Sequence, residues 1–425
     1  MSTIAPFRAL RFAVAAPGEL AQRLAPPYDV ISPERRRILA ADPHNIVHLD
    51  LPEGPAERIY ADAAARLEAW RRDGTLALDA APAYHLAEQS FKDASGTARR
   101  RRGFFARLRV EPFEAGSVLP HERTLESPRR DRERLLAATR THLSAVFLLH
   151  EDPGGTVARL LASASETAPE RELVDPDGCG LRLWRLADRG AINRLTAAAG
   201  RGWTLIADGH HRYESALAYR QERRAAGRDD AADVLAFLCS AEDPGLVIGP
   251  IHRLVRGVPR LDPERVASAL TGRFAVDRRP REGLAAALRE AAASPGVFGL
   301  LFPGRSEALL LRWRDDEEGR RALQGLPEPL RSLDVVLLHR LVFEEAFGLS
   351  PQAQAGGDHL EYVKDEAGLL RGVEQAVCGV MLNPTRLAQV VEVSKSGLRL
   401  PPKSTYFQPK VPSGIVLDPL DAPAD

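Results

Sequence analysis

The residues Trp203-Thr204-Leu205-Ile206-Ala207 read as a short buried strand, and the residues from Tyr213 to about Ala226 read as a helix. Tyr213, Ala216 and Leu217 fall at i, i+3 and i+4, on one face of that helix. Between the two elements stands Asp208-Gly209-His210-His211-Arg212. A strand that turns directly into a helix constrains the fold, because it belongs to a sheet covered by helices. The turn constrains the chemistry as well. A helix start presents N–H groups without helical partners and the positive end of the dipole, so it suits an anion such as phosphate. Arg212 adds a bidentate phosphate donor, and the two imidazoles add proton-transfer or donor capacity. Asp208 can orient a histidine, coordinate Mg²⁺ or simply cap the helix. A capped helix alone would explain Asp208-Gly209, but not the whole run through Glu214. Consecutive polar groups leaving a buried strand point to a working site.

At 425 residues the chain exceeds what one core usually supports, which predicts two or three domains. No window approaches roughly 18 uninterrupted apolar residues, and the first residues lack the apolar centre of a signal peptide. A cytoplasmic protein without a membrane partner is expected. Cys179, Cys239 and Cys378 are widely spaced and odd in number, so neither disulfides nor a cysteine zinc site is expected. The 58 basic and 58 acidic residues cancel, which removes any global attraction to nucleic acid. The local exception, Arg99 to Arg102, reads as a solvated hairpin arm. Only 5 of the 58 basic residues are Lys, so each Lys is informative, and Lys403 and Lys410 share one motif.

Ser32-Pro33-Glu34 has the cap, N1 and N2 chemistry of a helix start. The stretch from Asn45 to Pro52 reads as a strand, and Arg58 to Arg72 as an amphipathic helix with Ala63, Leu67 and Trp70 inward. Alternation at 83–91 and 101–110 predicts an antiparallel pair joined through 92–100. Val118-Leu119 leads into the polar cluster Pro120-His121-Glu122-Arg123-Thr124, followed by a charged helix from Pro128 to about Thr141. Asp334–Phe347 reads as a strong helix, and Val390 to Val393 as strand-like. Hairpins and crossovers together give an α+β, or mixed α/β, fold. The expected domains are 1–255, carrying the phosphate site, and 256–425, an additional α/β region whose segment 401–414 returns to that site.

The strand–Asp208-Gly209-His210-His211-Arg212–helix unit resembles the phosphate-contacting turn of the ParB/sulfiredoxin superfamily, with its closest wording in the free-serine kinases. Over nearly its full length the chain resembles the "domain of unknown function 1015" family. The signatures are Pro26-Pro27-Tyr28-Asp29-Val30-Ile31, His48-Leu49-Asp50-Leu51, Leu119 to Thr124, Ile206 to Glu214, Pro250-Ile251-His252-Arg253, and Pro402-Lys403-Ser404-Thr405-Tyr406-Phe407-x-Pro409-Lys410. The resemblance implies a ParB/sulfiredoxin-like core that binds nucleotide or phosphate. Sulfinate repair needs a cysteine where His210 and His211 stand, and a DNA-binding role needs a basic surface that this neutral chain lacks.

What remains is phosphoryl transfer to a hydroxyl of a small molecule such as free L-serine, from ATP or pyrophosphate with Mg²⁺. The serine identity rests on the resemblance alone. In this reading Gly209, Arg212, Lys403, Ser404, Thr405 and Lys410 hold phosphates. His210 and His211 donate to transferring oxygens, and Asp208 holds Mg²⁺ or acts as base, with Glu122 as the second base candidate. Tyr28, Asp29, His121, His252 and Arg253 form the substrate side. A three-histidine zinc site lacks supporting spacing. The alternatives are a phosphatase or nucleotide hydrolase with the same cradle, and a nucleotide-binding regulator without turnover.

Overall fold

The computed structural model describes residues 2–13, 17–124, 126–355 and 358–421. It divides into two compact units, Met1–Val247 with Pro409–Asp425, and Ile248–Gln408. The division thus falls after Val247 rather than at 255, and the residues from Pro409 onward count with the first unit.

The first unit is mixed α/β, built on a nine-stranded sheet. The path through it runs Val118–Leu119, Thr204–Asp208, Val146–His150, Asp233–Ser240, Ala98–Arg109, Tyr84–Lys92, Gly180–Leu186 and Arg171–Val174, with Ile4–Ala5 paired to Ala98–Arg109. Alternation on Ala98–Arg109 sends Phe104, Ala106 and Leu108 into a core shared with Val146, Leu148 and Ile206. The His210–Ala225 helix adds Tyr213, Ala216 and Tyr219 to the same core. Burying a Val, Leu, Ile or Phe side chain in this core contributes about 1.5–3 kcal/mol. The Tyr213 hydroxyl donates to the Glu111 carbonyl (2.8 Å) and accepts from its N–H (3.0 Å), so the phenol is satisfied although its ring is fully buried.

The predicted hairpin forms, with Tyr84–Lys92 antiparallel to Ala98–Arg109. The arginine run is not simply solvated. Arg101 is 0% exposed, its guanidinium lies 4.5 Å from the Phe147 ring centroid, and Arg102 pairs with the buried Glu88 at 2.7 Å. A strand alternates its faces, so one arginine of the run had to point inward.

The segment from Asn45 is another departure, for Val47–Asp50 is a helical turn, not a strand. Asn45 causes this. Its side-chain oxygen accepts from the Val47 N–H (2.9 Å) and its amide donates to the Leu24 carbonyl (2.8 Å), which outweighs the local β propensity.

The second unit is also mixed. Its six-stranded antiparallel sheet runs Phe274–Pro280, Glu307–Trp313, Val297–Leu301, Cys378–Leu382, His252–Val255 and Leu360–Val363. Val390 to Val393 lies in the helix Leu387–Lys395, not a strand. Val390 and Val393 are both 0% exposed at i and i+3, while Glu392 faces water. The helix expected over Asp334–Phe347 changes winding instead of running uniformly: Asp334–Leu337 is α-helical and Leu338–Glu344 is π-helical.

Candidate active site

Two neighbouring parallel strands deliver the polar residues. Thr204 and Leu205 pair with Val118 and Leu119, so His121 and Asp208 leave the sheet side by side. On its other edge the strand pairs with Val146–His150, and the register shifts between Ile206 and Asp208. The bulge re-aims the residue that follows it, which here is Asp208.

Gly209 has φ +94°, the left-handed region that side chains avoid. A Cβ there would stand 2.8 Å from Arg212 Nε, so the glycine also makes room for the guanidinium. The helix opens at His210, and its first ladder bond is Tyr213 N–H to the Gly209 carbonyl at 3.0 Å. The N–H groups of His210, His211 and Arg212 precede that bond, so the helix supplies them no carbonyl.

Asp208 is held by two cations. Arg212 Nη2 donates to one carboxylate oxygen (2.7 Å) and Lys410 Nζ donates to the other. Arg212 also donates through Nη1 to the Ala145 carbonyl. Lys410 is fixed through its own carbonyl, which accepts from Gln89 Nε2 (2.9 Å), and Gln89 in turn accepts from Arg101. Burial works against the Asp208 charge, yet Lys410 and Arg212 outweigh it and hold the carboxyl far below the usual range. Arg212 is likewise kept charged: burial opposes it and Asp208 outweighs the burial.

The hydrogen bonds assign protons to two histidines. His121 Nδ1 lies 2.7 Å from the Ile206 carbonyl and donates to it. His210 Nε2 accepts from the His121 backbone N–H (3.3 Å), which leaves the His210 proton on Nδ1. The two rings meet edge to face, with centroids 4.6 Å apart. His211 and Glu122 are half-buried, at the second helix position and directly after His121.

Tyr28 and Asp29 belong to the same neighbourhood, since both interact electrostatically with Arg212. Burial pushes the Tyr28 hydroxyl up to about 12 against the pull of Arg212, so it stays a neutral donor. Three residues not singled out from the sequence complete the surroundings. Arg132 stacks its guanidinium 4.0 Å from the Tyr28 ring centroid and donates to the Asp50 carboxylate (3.2 Å), which also accepts from Ser413 (2.8 Å). Asp50 stands inside a quoted signature, and its burial at 3% exposure is what the sequence did not reveal.

His252, Arg253, Lys403, Ser404 and Thr405 belong to the second unit. Within it, Arg253 Nη2 donates to the Lys403 carbonyl (2.9 Å), Ser404 Oγ to the Pro401 carbonyl (2.6 Å), and His252 Nδ1 accepts from the Leu382 N–H (3.2 Å).

Magnesium held by Asp208 does not fit this donor set. Both carboxylate oxygens are committed to cations, and among the described residues no three His, Cys, Asp or Glu side chains gather to hold a metal ion. The same depressed pKa makes Asp208 a poor base.

A family model described as "Protein of unknown function (DUF1015)" matches residues 4–336. No curated protein matches the chain. Among solved structures it is similar to a free serine kinase variant in complex with ADP, at 13% identity over 72% of this chain and 87% of that one, with a TM-score of 0.36. It is similar to a conserved hypothetical protein from Pyrococcus furiosus at 14% identity, 75% and 97% coverage, and TM-score 0.34. SbnI with C-terminal truncation from Staphylococcus aureus gives 12% identity, 74% and 87% coverage, and TM-score 0.36.

Proposed function

The chain belongs to the DUF1015 family, and from the site its residues build we propose that it is a phosphotransferase acting on a hydroxyl of a small, serine-like amino acid. One observation carries this reading: Asp208 gathers Lys410 and Arg212, two cations on one carboxylate, at the start of the His210–Ala225 helix. The dipole adds roughly half a positive charge there. A phosphate seated on this helix start meets backbone N–H groups, a glycine that lets it approach, and charge that is already fixed in place.

In this role Asp208 is an organiser rather than a base. It is a fixed anion that stops Lys410 and Arg212 from repelling each other when the site is empty of phosphate. His210 presents Nδ1–H as a donor. Glu122 orients the attacking hydroxyl and takes its proton. Tyr28 and the exposed Asp29 form the acceptor side, where a carboxylate suits an ammonium group. Magnesium brought in on the donor's phosphates would neutralise part of their charge, and no side chain of this site is assigned to hold it.

The test is to incubate the protein with Mg²⁺, hydroxy amino acids, and ATP, ADP or pyrophosphate, and to follow products by ³¹P NMR. A new phosphomonoester signal from one acceptor is expected, strongly reduced in Lys410→Met. Donor binding without any turnover over hours would sink the proposal and leave a regulator. Release of inorganic phosphate without a phosphomonoester would replace it with hydrolysis.

A further inference from the structure

The second unit contains a buried cation without a buried anion. Arg253 is 1% exposed, and its guanidinium donates to the Ile251 and Lys403 carbonyls and lies 5.2 Å from the Tyr362 ring centroid. Among the described residues no carboxylate comes within ion-pair distance of it, and its Nε is buried with no hydrogen-bond partner. Four other arginines differ, while Arg101, 0% exposed, donates to the Gln89 amide oxygen. Arg36, Arg107, Arg132 and Arg212 each pair with a carboxylate at 2.5, 2.8, 2.5 and 2.7 Å. Removing a guanidinium from water is costly unless an opposite charge compensates it.

Two further irregularities lie next to Arg253. Lys403, whose carbonyl Arg253 holds, has φ +57°, a conformation rare and strained for a residue with a side chain. His339 is close enough for the Arg253 charge to act on its ring, the ring also hydrogen-bonds the Gln354 side chain, and its Nε2 is buried without a hydrogen-bond partner. It sits in the π-helical turn Leu338–Glu344, a form concentrated at functional sites. Lys364 lies 4.5 Å from the Tyr406 ring centroid, and the Asp365 carboxylate is committed to the Gly368 N–H (2.7 Å) as a helix cap.

We infer that Arg253, with His339 and the Lys403 turn, forms a binding site for a phosphate group in the second unit. A multiply charged oxyanion supplies what the burial lacks: a counter-charge for the guanidinium and an acceptor for the Arg253 Nε–H and a His339 Nε2–H. It also gives the strained Lys403 conformation a reason to persist. The inference joins two sequence signatures, Pro250 to Arg253 and Pro402 to Lys410, and it does not rest on the reading of Asp208.

Hydrogen exchange of the full-length protein with and without inorganic phosphate tests it. Phosphate slows exchange in Ile251–Val255 and around Lys403, separately from any slowing at His210–Tyr213. Sulfate and acetate arms tell a dianion site from a carboxylate site. Arg253→Met loses the first effect, with phosphate affinity there reduced at least tenfold, and keeps the second. Its melting temperature without phosphate equals or exceeds that of wild type, because the variant no longer buries an uncompensated charge. Unchanged exchange at both segments in wild type overturns the inference, whatever happens at Asp208. An acetate response equal to that of phosphate overturns the phosphate assignment, and a ligand-free melting temperature several degrees lower in Arg253→Met assigns the arginine a structural role instead.

Discussion

Asp208 is the residue on which the first unit's polar site turns. Replacing it with Asn leaves Lys410 and Arg212 facing each other without a counter-charge, and breaking such a buried arrangement costs about 3–5 kcal/mol. Its folded pKa is depressed, so its contribution is present above the unfolded carboxylate value, near 3.9, and is lost as pH falls toward the folded value. The stability gap between wild type and Asp208→Asn, measured by denaturant titration, is therefore full at pH 7 and narrows below about pH 4. A gap independent of pH down to 3 would contradict this. Gly209→Ala tests the turn itself. The left-handed backbone costs roughly 1–2 kcal/mol with a Cβ. The new methyl, 2.8 Å from Arg212 Nε, must also push the guanidinium off Asp208. Phosphate affinity falls more steeply than stability in this variant, which calorimetry and thermal melts together resolve.

Elements show how far local pattern carries. The strand, turn and helix around Asp208 were legible because hydrophobic period and glycine chemistry both act within a few residues. Lys410 was legible only as a rare lysine, since its partner lies 202 positions away and no local rule links them. Val47–Asp50 misled because one Asn side chain redirects the backbone, and Val390 to Val393 because three β-branched valines suggest a strand although the two buried ones stand at i and i+3. The small ladder Thr141–His142 with Asp418–Pro419 was not anticipated, and it sets two opposed titrations against each other. Burial lowers His142 to about 4 and raises Asp418 to about 6 despite Arg107. As pH falls from about 6.5 to 4 the unfolded chain protonates His142 first, which removes stability. Over about 6 to 4 the folded chain protonates Asp418 first, which adds it. Each slope is about 1.4 kcal/mol per pH unit, so the pair nearly cancels. Asp418→Asn should lose up to about 2 kcal/mol relative to wild type between pH 6.5 and 4.5, beyond any offset already present at neutral pH. Parallel pH profiles of the two proteins would refute the opposed titration.

For the molecule as a whole, the decisive feature is that the first unit is discontinuous, with Pro409–Asp425 belonging to it. Truncation after Gln408 removes Lys410 from Asp208, Ser413 from Asp50 and Asp418 from Arg107. Three buried charge contacts go at once, and the first unit is expected to lose cooperative unfolding in near-UV circular dichroism. Retention of a sharp transition at the wild-type midpoint would show that the tail is dispensable. The same discontinuity orders events on the ribosome. Residues 248–408 are complete while the first unit still lacks its last strand, so the part made first finishes folding last. Lys410 emerges some 200 residues after Asp208, and until it does the nascent chain holds the Asp208 turn without one of its two cations. A protein arranged this way carries its own proofreading of synthesis: a chain cut short at any point before Lys410 cannot assemble the charged site at all.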